Sequence, residues 1–164
     1  MKDLLKQLAA YNIWANQRLF ELINGLQEEK QLAQVPSSFK SLLATTLHMW
    51  DAESIWWQRM KLHERFTRPS DNFKGNFKDV VNGLMSQSKL WEGFVNNSGE
   101  HVLDHVLEYR DSKKEQVKMP VYHVLLQVFN HGSYHRGQLV NMLRQLGIDK
   151  IPMTDFSIYA RQKK

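Results

Sequence analysis

The chain is expected to be all-α: a four-helix bundle with a short β-hairpin before the fourth long helix and a short C-terminal helix. Three observations predict it. Apolar residues recur at three- and four-residue steps in four long segments, Pro and Gly punctuate the stretches between them, and 42% hydrophobic against 24% charged residues is a globular balance. At 164 residues the chain suits one domain over 1–164 with a real core and is short for two.

The first helix is expected from Asp3 to Asn24, with Leu4, Leu8, Tyr11, Ala15, Leu19, Leu22 and Leu26 as one buried stripe. Gly25 sits at its end, and the polar run to Pro36 reads as an exit loop. Ser37 or Ser38 offers an N-cap to a second helix reaching Leu62, whose apolar set is Leu43, Leu47, Met49, Trp50, Ile55 and Trp56. RFTRPSDNFKGN carries the breakers of a connection. A third helix runs from Phe77 to Asn96 on Val80, Leu84, Leu90, Trp91, Phe94 and Val95, although Gly83 and Gly93 each cost about 1 kcal/mol there.

Residues Val102 to Met119 alternate in polarity around DSKKE and predict a short hairpin. Pro120 suits a helix N1 position, Gly147 suits C′, and the segment between them is one long striped helix. A short tail helix follows, capped by Thr154 or Asp155. The five tryptophans are expected to be core or dimer contacts rather than a cofactor box.

Composition also excludes. No apolar run approaches the ~18 residues that span a bilayer, and MKDLLKQLAAYNIWANQ lacks a signal peptide's apolar segment, so a cytoplasmic protein is expected. With no cysteine there is no disulfide, thiolate ligand or cysteine nucleophile, and any protein ligands to a metal must be His, Asp or Glu. The net charge of +5, part of it from Arg161, Lys163 and Lys164, is mild and scattered among acids, which argues against a nucleic-acid surface.

Among seven histidines, His131 and His135 stand four apart in the fourth helix and project from one face, near enough to share an ion. Val124, Val128, Gln138 and Met142 lie on that face, which turns the pair inward, where two imidazoles need partners for their ring nitrogens. On the second helix His48 is flanked by Ala44 and Ala52, small residues expected to leave a cavity. Asp51 and Thr45, three residues either side, are placed to orient ligands or bind substrate, or equally to line a solvated edge. His101 and His105 are also four apart, but in a strand they would stand about 13 Å from each other. These two, His63 and His123 read as surface or structural residues.

YNIWANQRLFELI, LHMWDAESIWW and FNHGSYHRGQLVNMLRQLG together give the chain its resemblance to the DinB/YfiT-like metalloenzyme superfamily, over nearly all its length. His48 stands at that family's first ligand position, followed by Glu53 and Trp56. His131 and His135 match its H-x-x-x-H-R-G-Q motif, and DFSIYA fits its closing segment. The resemblance implies an up-down bundle with unusual connections, a Zn²⁺ or Ni²⁺ site of three histidines, and frequently a homodimer. It also implies one of several activities, since members include stress-associated proteins, transferases acting on low-molecular-weight thiols, and hydrolase- or isomerase-like enzymes. Within the motif, Arg136 has the local reading of a partner for a surface acid, Gly137 of a site for close helix approach, and Gln138 of a group beside the ligands.

Three neutral imidazoles leave a divalent ion's charge uncompensated and a position open, the pattern of a catalytic site. Such an ion acidifies a bound water, giving hydrolysis, or deprotonates a bound thiol, giving a nucleophile. The leading expectation is a metal-dependent thiol S-transferase-type enzyme acting on a small molecule. Metal-dependent hydrolysis and a non-catalytic, metal-stabilised stress protein stand beside it.

Overall fold

Helix α1 spans Lys2–Asn24 in the computed structural model, which describes residues 1–162 except Ser112. Lys163 and Lys164 of the basic excess lie outside the described residues. The buried line of α1 is Leu5, Ala9, Asn12, Ala15, Asn16, Leu19, Phe20 and Ile23, rotated from the expected stripe, so that Leu4 is exposed and Leu8 and Tyr11 are half-buried. Two of these positions are asparagines, which a reading of apolar periodicity passes over. The expected exit loop contains a further helix, α2 (Glu28–Leu32). Its buried Gln31 donates through Nε2 to the carbonyls of Ile23 (3.0 Å) in the last turn of α1 and Leu26 (3.1 Å) just beyond it.

Helix α3 is Leu42–Met60, and its N-cap is Ser41, not Ser37 or Ser38. Ser41 Oγ accepts from the Ala44 amide at 3.1 Å, while the Val35 amide donates to the Lys40 carbonyl at 2.8 Å, closing a turn that an earlier helix start would break. The connection to the next long helix holds a 3-10 turn at Pro69–Asn72. Helix α4 (Phe77–Asn97) opens with a capping box: the Asp79 amide donates to Asn76 Oδ1 and the Asn76 amide to Asp79 Oδ2. Gly83 is required, because a Cβ there would overlap the indole of Trp50. Leu90 faces out, at the edge of the apolar set expected for α4.

The hairpin is shorter than its alternation predicts. Residues Glu100–Asp104 form helix α5, and the strands are β1 (Val106–Arg110) and β2 (Gln116–Pro120), antiparallel with Val106 opposite Pro120 and Arg110 opposite Gln116. His101 therefore lies in a helix and His105 caps it, so the strand spacing does not separate them; both side chains are simply exposed. Pro120 ends β2 and is the N-cap of α6 (Val121–Gln145), one place before the expected N1. Gly147 ends α6 as expected, at φ +76° with its amide on the Arg144 carbonyl and the Ile148 amide on Leu143. Helix α7 (Phe156–Arg161) begins after Asp155, whose side chain makes no cap bond; Tyr11 Oη ties the tail to α1 by donating to the Thr154 carbonyl at 2.7 Å.

Among the described residues the four long helices form the bundle, with α1 packed on α4 and α6, and α3 on the same two. Consecutive long helices α1 and α3 are thus diagonal. Shared contacts give the directions: α1 pairs Phe20 with Phe77 near the start of α4, while α3 and α4 pair Trp50 with Gly83 and Trp57 with Trp91 in rising order. Helices α3 and α4 run parallel and opposite to α1 and α6. Their parallel course demands the long connection over 61–76, since two parallel neighbours cannot be joined by a short loop.

The core is in two apolar halves. One holds Phe20, Ile23, Leu42, Met49, Phe77, Leu84, Leu139 and Leu143; the other holds Leu5, Ala9, Trp91, Val95, Val124, Leu125 and Phe129. Between them lies a buried polar layer of Asn12, Asn16, Glu53, Ser88 and Arg136.

Candidate metal centre

Helices α3 and α6 are neighbours of opposite direction, which sets His48 against the middle of α6. There His48, His131 and His135 each turn a ring nitrogen inward, and these donor atoms all lie within 4.8 Å of one another. Among the described residues this is the group of His and acidic side chains that could hold a metal ion. His131 Nε2 and His135 Nε2 are 3.0 Å apart. Two ligands of a tetrahedral zinc stand about 3.3 Å apart, so the pair opens by only a few tenths of an ångström to take an ion.

The protonation states fit the same use. Burial lowers the pKa of all three histidines; for His131, with His135 and His48 close by, it falls to about 4. At neutral pH the group presents lone pairs and not cations, which is what a metal requires. Gln138 fixes which nitrogen is free on His135. Its Nε2 donates to the hydroxyls of Tyr134 (3.2 Å) and Ser38 (3.4 Å), which leaves Oε1 to accept from His135 Nδ1 at 2.7 Å. The proton of the His135 ring is thereby held on Nδ1, and Nε2 faces the cluster. Of the three motif neighbours, Gln138 alone bonds one of the three histidines.

Ala44 and Ala52 are half-buried, and Phe39 stacks on the His48 imidazole at 4.0 Å between centroids and meets His135 edge-on at 5.8 Å. Phe39 went unnoticed in the sequence because it lies in an irregular turn with no periodicity. Thr45 acts on that turn: its hydroxyl donates to the Ser41 carbonyl at 2.9 Å. Asp51 accepts from the Ser70 amide at 2.9 Å, so its carboxylate fastens the 3-10 turn to α3, and its charge raises the pKa of His48 against the effect of burial. His63, His101, His105 and His123 are exposed, as expected.

Arg136 departs from its expected role. It is buried, not paired with a surface acid, and donates to Asn12 Oδ1 (2.7 Å), Asn16 Oδ1 (2.8 Å) and Ser133 Oγ (2.8 Å). Asn12 Nδ2 in turn donates to Glu53 Oε1 at 3.1 Å, and Ser88 Oγ bonds the same carboxyl group. Burial pushes the Glu53 pKa up to about 7. Close helix approach belongs to Gly132, whose Cβ would meet Asn12 Oδ1 at 2.8 Å; Gly137 faces open space.

The chain is matched over residues 1–164 by the model of the DinB family. It is 26% identical to Protein DinB of Bacillus subtilis (strain 168), over 97% of this chain and 95% of that one. Its fold is similar to the crystal structure of a DinB-like protein from Bacillus cereus ATCC 10987, with a TM-score of 0.68 at 17% identity over 88% of this chain and 91% of that one. A DinB-like protein from Bacillus subtilis gives a TM-score of 0.67 at 11% identity, over 91% and 98%. With the family matched along its whole length, this chain belongs to the DinB family.

Proposed function

We propose that this protein is a metal-dependent enzyme of the thiol S-transferase type, in which His48, His131 and His135 hold a zinc or nickel ion. The convergence of three neutral imidazoles from two helices carries the reading. Such a donor set gives a divalent ion no charge compensation, so a bound ion supplies Lewis acidity strong enough to hold a thiol as thiolate at neutral pH. The protein's own side chains orient the site. Gln138 holds the His135 tautomer, and Phe39 packs His48 and His135 in place. Half-exposed His48 and His131 leave the cluster reachable from solvent, as a small substrate requires.

The substrate in this reading is a low-molecular-weight thiol, and the absence of cysteine from the chain leaves no protein sulfur to compete for the ion. No helix of the described residues is long and apolar enough to cross a membrane, which accords with a cytoplasmic site of action. A homodimer is the proposed assembly.

Elemental analysis of purified protein tests the first step: one equivalent of zinc or nickel per chain, lost in His131→Ala, is expected. Incubation of the metal-loaded protein with several thiols and a haloarene tests the second, with thioether formation above the metal-stripped control as the expected result. Metal without thioether formation, but with ester or amide cleavage, would transfer the assignment to hydrolysis. Metal that raises the melting temperature with no turnover of either kind would make the protein a metal-stabilised binding protein.

A further inference from the structure

The polar layer between the two apolar halves contains no metal ligand, yet it is built on the two helices that carry them. Arg136 directly follows His135, and Glu53 lies five residues after His48. Between them stands Asn12 of α1, a helix that supplies no ligand. One amide atom of Asn12 serves each ligand-bearing helix: Nδ2 donates to Glu53 on α3 at 3.1 Å, and Oδ1 accepts from Arg136 on α6 at 2.7 Å. The reach spans the diagonal of the bundle, and Gly132 makes room for it.

We infer that Asn12 is a positioning residue for the metal centre, locking α3 against α6 and so fixing how far His48 stands from the His131–His135 pair. The inference rests on the metal reading given above. Two of the ligands share α6, so their separation is set by helix geometry. The third comes from α3, and its distance from the pair changes with any slide or rotation of α3 on α6. Apolar packing is non-directional and tolerates such slips. A buried hydrogen bond to a charged group does not, because its loss leaves a desolvated donor or acceptor. Five residues of helix are about 7.5 Å, so a shift at Glu53 reaches His48 through little more than one rigid turn.

Ser88 supplies the control. Its hydroxyl bonds the same Glu53 carboxyl group at 2.9 and 3.0 Å, but it comes from α4 and leaves the Glu53–Asn12–Arg136 chain intact. Cobalt(II) is the probe, bound to wild-type protein, Asn12→Leu and Ser88→Ala. Its dissociation constant is measured by chelator competition and its ligand field by the visible bands. Asn12→Ser, which shortens the side chain and leaves room for water, replaces Asn12→Leu if the latter does not fold.

Both substitutions are expected to lower the melting temperature of the apo protein. Only the Asn12 variants are expected to weaken cobalt binding, by about tenfold or more, and to change its visible bands. Unchanged affinity and bands in the Asn12 variants, or an equal loss in Ser88→Ala, would overturn the inference and leave the metal reading standing. A wild-type protein that takes up no stoichiometric cobalt would overturn the metal reading itself.

Discussion

Gln138 Oε1 lies 2.7 Å from Nδ1 of His135, and with the amide so oriented the free ring nitrogen is Nε2, on the side of His131. In this orientation the amide Nε2 donates to the hydroxyls of Tyr134 and Ser38. Gln138→Met keeps the length of the side chain and removes the carbonyl acceptor. Metal affinity is expected to fall about 10- to 100-fold, with the apo melting temperature little changed, as read by chelator competition and calorimetry.

Gly132 of α6 faces Asn12 of α1. In Gly132→Ala the new methyl would meet Asn12 Oδ1 at 2.8 Å, with Arg136 Nη1 at 3.3 Å. Both neighbours are held in the buried layer and have little freedom to retreat. A loss of about 1–3 kcal/mol is expected, the cost of overpacking a filled interior, measured by urea denaturation. Gly137→Ala, where the space is open, is expected to be neutral or slightly stabilising.

The proton on Glu53 sets a pH dependence of stability. Burial raises its pKa from 4.5 in the unfolded chain to about 7 in the folded one. The folded state therefore binds more protons between these values, so this group's contribution is full below pH 4.5 and is lost as pH rises towards 7. The expected loss is roughly 3 kcal/mol across that window. The histidines oppose it, since their lowered pKa values remove stability as pH falls below 6.5. Subtracting the stability curve of Glu53→Gln from that of the wild type isolates the carboxyl group. The difference is expected to decline from pH 4.5 to 7 and to be flat above.

Asp51 was a candidate for orienting ligands, and its hydrogen bond goes instead to the Ser70 amide. Asp51→Ala is expected to loosen the connection over 61–76 and speed its cleavage by protease, while stoichiometric metal uptake persists. Loss of metal uptake in that variant would show that the carboxylate serves the histidines more directly than through the connection.

Much of this was legible in the sequence. Helical spacing alone put His131 and His135 on one inward face, and Gly147 marked the end of α6 through a backbone conformation that favours glycine. What escaped was polar and buried. Asn12, Asn16 and Arg136 occupy core positions that apolar periodicity does not register, and Arg136 read by itself suggests a solvated cation. Their legibility depends on one another: Arg136 is tolerable inside because both asparagines accept from it, and it lies 124 and 120 residues from them along the chain. Phe39 was hidden for a different reason, since irregular backbone gives no period from which to infer a facing side chain.

Three histidines that could hold an ion, from α3 and α6 and two of them half-exposed, lie beside a polar layer that is hydrogen-bonded without any metal. The order of events follows from that separation. An ion bound by these histidines would join an interior that is already complete, and could exchange without unfolding it. A single polypeptide would then carry different metals in cells grown on different supplies, and any occupant found after purification would reflect the growth medium as much as the donor set.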